Sequence, residues 1–352
     1  MMMPLRLEFV TKITRWLDRF DPGVHRRIKG LRLVTAYGIA AMLGALHDIA
    51  QGLPDAASLG SLAGGFALWG SVSEGQATRA KSARDLLLLS AAAALGAASF
   101  IAGVPLLAGL GRAGPELTLA SGAFCAGYLR RFGVLGAGLG SQIYIGQLYA
   151  LGAGLATGDL PTVIIAGAIA ALAAIVPRML SGPAEQPPPV GEIREHSVAL
   201  SMGLQALAAA TVIVALDHVV GLTEAAWAIT ACTYVIAGSA SGTIDRVRRR
   251  IIGTAIGVPM GLAFLPLAGN EPILAWAAAA LAMVIYAVAL PERYDVACGA
   301  FAFTLIVTLA ASGEHSIPLL VARAWETLIG GTLGLIAALL LFPIRATQTD
   351  DR

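Results

Sequence analysis

Charged residues are scarce in this chain. Asp, Glu, Lys and Arg make up 13% of its 352 residues, about half the roughly 25% of an ordinary soluble domain. That deficit excludes a solvated globular fold. A net charge of +2 by itself says little about partners; no nucleic-acid partner is expected. Cysteine is rarer still. Cys125, Cys232 and Cys298 lie in apolar stretches without metal-ligand spacing, so they read as small packing residues in no disulfide, and no metal site is expected. The sequence has no phosphate-binding loop, zinc motif or nucleophile–base arrangement. Neither an enzyme nor a cofactor is expected, and ATP-driven transport by this chain alone has no support. The basic start is followed by no apolar run with a small-residue cleavage site, so no signal peptide is expected.

What is abundant is apolar: 57% hydrophobic residues and 41 glycines, the composition of membrane helices packed through small side chains. A span needs about 20 largely apolar residues. Twelve candidate spans fall at 31–53, 59–76, 85–109, 116–131, 133–156 and 160–179, then 197–217, 224–242, 251–269, 272–290, 295–312 and 317–342. The fold expected is all-α, a polytopic helical membrane protein. With the amino terminus inside, 22 of the 24 Lys and Arg residues fall on the inner side; Arg112 and Arg323 do not. This asymmetry predicts a multi-pass layout with both termini cytoplasmic.

The chain divides further. Residues 1–30 form a basic arm in which Phe9, Ile13, Trp16, Leu17 and Phe20 recur at helical spacing, the pattern of a helix lying on a membrane or protein surface. Residues 31–180 form one six-helix half and 197–343 a second. Leu180 to His196, with Pro187 to Pro189, reads as a linker centred on 181–196, and 344–352 as a tail. Two parallel six-helix repeats are expected. His47-Asp48 ends the first span and Asp217-His218 the seventh. Spans six and twelve both follow a proline, Pro161 and Pro318. Transporters of this design bind substrate between the halves.

Three motifs stand in the second half: Trp227-Ala-Ile-Thr230, Arg250-Ile-Ile-Gly253-Thr254-Ala-Ile-Gly257, and Arg323-Ala-Trp-Glu326-Thr-Leu-Ile-Gly330. Together they resemble the fusaric acid resistance family over about 197–343; plant aluminium-activated malate channels are distantly similar. The resemblance implies export of aromatic carboxylic acids. The implied partners are a small organic anion and membrane lipid, with a second copy or an accessory periplasmic protein as further candidates.

Arg323 and Glu326 share one helix face. Arg323 is the candidate for a substrate carboxylate, and Glu326 for holding it or taking up a proton; a structural ion pair is the alternative. An ionisable pair in hydrocarbon is a functional candidate by default. Arg246, Arg248, Arg249 and Arg250 are expected at the cytoplasmic mouth, concentrating organic anions or binding lipid head groups. Trp227, Thr230, Tyr234, Gln147 and Thr304 are candidate pathway residues, with interfacial anchoring or helix–helix bonding as the alternative. Gly253, Gly257, Gly330 and Gly334 are expected to pack helices. His47, Asp48, Asp217 and His218 read as a solvated rim, and Glu74 and Glu116 as exposed. The reading is an efflux transporter of organic acids, with a passive anion channel or a non-transporting scaffold as alternatives.

Overall fold

The computed structural model describes residues 21, 23–51, 58–182, 195–313 and 316–341. The arm over 1–20, most of the linker and the tail lie outside them, as does the side chain of Arg323. Among the described residues there are twelve α-helices and no strand. They are α1 (His25–Ala50), α2 (Ser58–Ser73), α3 (Arg79–Leu106), α4 (Ala113–Tyr128), α5 (Gly133–Gly152) and α6 (Leu160–Leu180), then α7 (His196–Val220), α8 (Ala225–Val235), α9 (Ala240–Asn270), α10 (Pro272–Ala289), α11 (Tyr294–Ala311) and α12 (Ile317–Leu340). Eight of them, all but α2, α4, α5 and α8, are long and apolar enough to cross a membrane. The protein is a multi-pass helical membrane protein.

Local chemistry sets the helix ends. Thr78 caps α3 and Ser239 caps α9, each side-chain oxygen accepting from a backbone N–H three residues on. Pro161 and Pro318 sit in the first turns of α6 and α12, where a missing N–H removes no helix bond. Gly133, at φ 73°, turns the chain between α4 and α5, a conformation that costs glycine little.

The eighth span departs from expectation. It was read as 224–242, yet α8 ends at Val235 and the chain runs extended through Ile236 before α9 begins at Ala240. The freed backbone is satisfied from the side. The Ile236 carbonyl accepts from Arg130 Nη1 at 3.4 Å and Arg246 Nη1 at 3.3 Å, and Ala237 N–H donates to Thr243 Oγ1 at 3.0 Å. Non-helical backbone at membrane depth is tolerated where it is buried in protein. A second departure follows: Arg246 to Arg250 lie on α9 itself, not on a loop. Glu74, expected exposed, is buried; its carboxylate accepts from Ser82 Oγ at 2.6 Å and from Gln76 N–H at 2.7 Å.

The helices pair in a recurring order. In the first half α1 packs on α2 and α6, α3 on α5 and α6, α2 on α6, and α4 on α5. In the second half α7 packs on α8 and α12, α9 on α11 and α12, α8 on α12, and α10 on α11. The seams joining the halves, α4 with α7 and α1 with α10, also correspond. Two pairings differ. α2 packs on α5 and α4 on α8, whereas α8 with α11 and α10 with α2 have no comparable packing.

Glycine sets the closest contacts. A Cβ built on Gly253 would lie 2.3 Å from the Asp295 carbonyl oxygen, on Gly257 2.2 Å from that of Gly299, and on Gly330 2.0 Å from that of Ala228. On Gly334 it would meet Val235 and Cys232. Each obstacle to the first three is backbone and cannot rotate away. Across the seams, Gly127 meets Gly203 and Gly30 meets Val284 in the same manner. The four glycines expected to pack helices therefore do so. Gly257→Ala and Gly330→Ala should each destabilise the detergent-solubilised protein by about 1–3 kcal/mol, read as a lower thermal midpoint. Gly38→Ala, where nothing lies within 4 Å, should leave it unchanged.

Candidate functional site

A cavity of about 1480 Å³ opens between the halves where α8 and α11 diverge. Its walls come from α1, α2, α4 and α5 on one side and α8 to α12 on the other. The chain has seven tyrosines, and six of them line this space: Tyr37, Tyr144, Tyr149, Tyr234, Tyr286 and Tyr294. Trp69, Trp227, Trp276 and Phe301 join them. With only 6% aromatic residues overall, this concentration marks the cavity off from the rest of the bundle.

Edge-to-face pairs knit its walls. Trp69 on α2 meets Tyr286 on α10 at 6.0 Å and Phe301 on α11 at 5.5 Å; Tyr144 on α5 meets Tyr234 on α8 at 5.9 Å. All three cross between halves, and such ring contacts add about 0.5–1.5 kcal/mol each beyond area burial. The hydroxyls have partners too. Tyr144 shares a 2.8 Å bond with Thr230 Oγ1, and Tyr234 a 2.7 Å bond with Ser141 Oγ.

The arginines at this site divide by what they touch. Arg130 and Arg246 donate to the broken end of α8. Arg249 is held by Asp245, with Nε 3.0 Å from Oδ1, and by the Glu292 carbonyl oxygen at 2.8 Å. Arg248 is exposed and does not line the cavity. Arg250 differs from all of these. It lies ten residues into α9, about 15 Å along its axis, and lines the cavity. Its electrostatic neighbours are Tyr294, Cys298 and Tyr286, with Tyr144, Tyr234 and Cys232 also within its field. Among the described residues it has no carboxylate partner, and its Nε is buried with no hydrogen-bond acceptor. A guanidinium carries five donors, which suit a carboxylate's two oxygens.

The other expected residues fall into three groups. Trp227, Thr230, Tyr234 and Thr304 line the cavity; the Trp227 indole N–H donates to Glu224 Oε2 at 3.0 Å. Gln147 does not. Its amide donates to Ser99 Oγ at 3.1 Å and Ser121 Oγ at 2.9 Å, tying α5 to α3 and α4. Glu326 is fully buried and does not line the cavity; its carboxylate accepts from the Glu224 N–H at 2.8 Å, at the start of α8. A carboxylate there also meets the positive end of the helix dipole. Arg323, its expected partner, has its side chain outside the described set. Glu116 and Asp217 were read as exposed or rim residues; both are buried, at 9% and 5% exposure. The tyrosine ring was not read from the sequence, since its members come from five helices. The one available signal was that a scarce residue type recurs within or beside the candidate spans.

Comparison with known proteins adds one finding. Residues 208–337 match the family model described as fusaric acid resistance protein-like. This supports the resemblance read from the three motifs, and the matched stretch holds α8, α9, α10 and α11, the cavity's second wall. No curated protein and no solved structure matches the chain significantly.

At the end of the bundle that bears most of the basic residues, Glu292 lines the cavity and pairs with Arg26. The Arg26 guanidinium holds its carboxyl below the ordinary value of 4.5. A depressed carboxylate contributes stability above its unfolded pKa and loses it as pH falls through the folded one. Glu292 is 59% exposed, so the contribution is below about 1 kcal/mol. Glu292→Gln should cost that little at neutral pH. In pH-dependent unfolding, the difference from wild type should close as pH falls below 4.5.

Proposed function

We propose that this protein is an inner-membrane efflux transporter of organic, chiefly aromatic, carboxylic acids, driven by protons. The carrying observation is the cavity between the halves, lined by six of the seven tyrosines, four of which lie within the field of Arg250, while no described carboxylate neutralises it. Aromatic walls suit a substrate ring, and a guanidinium suits its carboxylate. A volume of about 1480 Å³ exceeds the roughly 300–1,000 Å³ of common ligand pockets, which leaves room for a bound acid with water beside it.

The matching helix pairings support two parallel six-helix repeats related about an axis along the membrane normal, with substrate held between them. The basic-residue bias supports a cytoplasmic location for the end carrying Arg246 to Arg250. In this reading Arg246 and Arg249 form the cytoplasmic approach and Arg250 the binding point within. Trp227 and Thr230 present their side chains from a helix anchored by Glu326. Arg323, one turn before Glu326, is proposed to meet the anion farther along the path. The outward direction rests on the family resemblance.

Benzoate titrated into purified protein should quench tryptophan fluorescence, since Trp69, Trp227 and Trp276 line the cavity. Losing a charge-assisted hydrogen bond costs about 1.5–3 kcal/mol, so Arg250→Ala should weaken binding by roughly 10- to 100-fold. Benzyl alcohol, which has the ring without the charge, should bind weakly to both. Equal benzoate affinity in wild type and variant contradicts the assignment.

A further inference from the structure

Opposite the basic end, the cavity meets a second unusual arrangement. Glu116, on the first turn of α4, lines the cavity. Asp217, on the last turn of α7, which packs on α4, is its side-chain and electrostatic neighbour. Both residues are more than nine-tenths buried, at 9% and 5% exposure. One oxygen of each, Glu116 Oε2 and Asp217 Oδ1, is buried with no hydrogen-bond partner. On its other side Asp217 approaches Arg112, whose Nε lies 3.9 Å from Oδ2 and whose side chain is 70% exposed. Arg112 also donates to the Leu222 carbonyl oxygen at 3.2 Å.

The charges facing this pair are few. Arg112 precedes α4, and Glu326 on α12 adds a negative charge within range of Glu116. Glu224, at the start of α8, adds another at the same end of the cavity. His218, beside Asp217 on α7, is exposed. Two further carboxylates, Glu326 and Glu224, therefore stand at this end of the cavity, against a single described cation, Arg112. Two ionised carboxyls side by side in a low-dielectric site repel strongly, and one shared proton replaces that repulsion with a hydrogen bond. The unpartnered oxygens provide the acceptor and donor positions that such a proton requires.

We propose that Glu116 and Asp217 form a proton-binding pair, loaded from the Arg112 end and exposed to the cavity through Glu116. A proton arriving from water adds to one carboxylate, and the new O–H donates to the other. Release returns the proton to water and leaves both carboxylates ionised. The pair's position gives it a thermodynamic role. Loading removes one negative charge from the wall of a cavity that holds Arg250, so proton binding and anion binding are thermodynamically linked. This deepens the transport reading by naming its proton site, and it rests on that reading for its purpose but not for its chemistry.

Infrared spectroscopy of wild-type protein in lipid vesicles reads protonated carboxyls directly. A protonated-carboxyl C=O band present at neutral pH, lost on alkaline titration, and removed or shifted by both Glu116→Gln and Asp217→Asn is expected. A spectrum without such a band, or a band that neither substitution moves, overturns the proposal. The second arm uses labelled terephthalate, with protein-free vesicles as the blank. Wild type should accumulate it in response to an imposed pH gradient. Asp217→Asn should lose that response while keeping terephthalate exchange in the absence of a gradient. An undiminished gradient response in Asp217→Asn overturns the pair's role in coupling. If wild type neither binds nor exchanges terephthalate, the transport reading fails, and the infrared result alone decides the proton site. Should Asp217→Asn fold poorly, the wild-type pH titration still decides it.

Discussion

Lipid tails are as apolar as leucine, so burying side chains does little to hold membrane helices together. What holds this bundle is backbone against backbone at glycine. α9 lies on α11 with Gly253 and Gly257 against the carbonyls of Asp295 and Gly299, and α12 lies on α8 with Gly330 against that of Ala228. α3 meets α5 in the same way, with Gly96 against Ile143 and Gly146 against Ala93. These contacts set how closely the helices approach. Where they are missing, between α8 and α11, the helices part and the cavity forms. The glycine seams therefore determine where the empty space lies.

The break after Val235 is the second consequence. α8 has 11 residues, a rise of roughly 16 Å, about half the hydrocarbon thickness of near 30 Å. Its end exposes carbonyl oxygen inside the bundle, and Arg130 and Arg246 satisfy it. Glu326 holds its beginning. These side chains maintain a half-length helix, and so position the faces of Trp227, Thr230 and Tyr234 that line the cavity. Arg250 is left to a different environment, among phenol groups and without a counter-charge in the described structure. Tyrosine hydroxyls polarise toward a cation but do not neutralise it. Its positive charge stays without a described carboxylate while the rings around it supply apolar surface.

The helical layout was legible because each run of apolar residues ends in a proline, a glycine or a charge. The division between α4 and α5 was the least legible, because Arg130 and Arg131 part the two runs after only a short apolar stretch. The glycine contacts were legible because their four-residue spacing repeats on one helix face. The break at Ile236 was not, since Val235-Ile-Ala-Gly238 is as apolar as the helix before it and only the tertiary partners of the Ile236 carbonyl allow the chain to open there. That miss misplaced Arg250, which then read as part of a basic loop. Glu116 and Asp217 were read as exposed because each sits near a helix end. They are buried because α4 packs along α7, a contact about a hundred residues apart in the sequence. The tyrosine ring shares this cause, being assembled from five helices with no local spacing to reveal it.

Photolabelling tests the account most directly. A light-activated aryl azide bearing a carboxylate, irradiated with the protein in vesicles, should react with α9, α10 and α11 peptides that carry Arg250, Tyr286 and Tyr294. Excess benzoate should suppress that labelling and benzyl alcohol should not. Labelling confined to lipid-facing residues such as Leu95, Ile164 or Ile273, or labelling that benzoate fails to suppress, would contradict an anion site in the cavity.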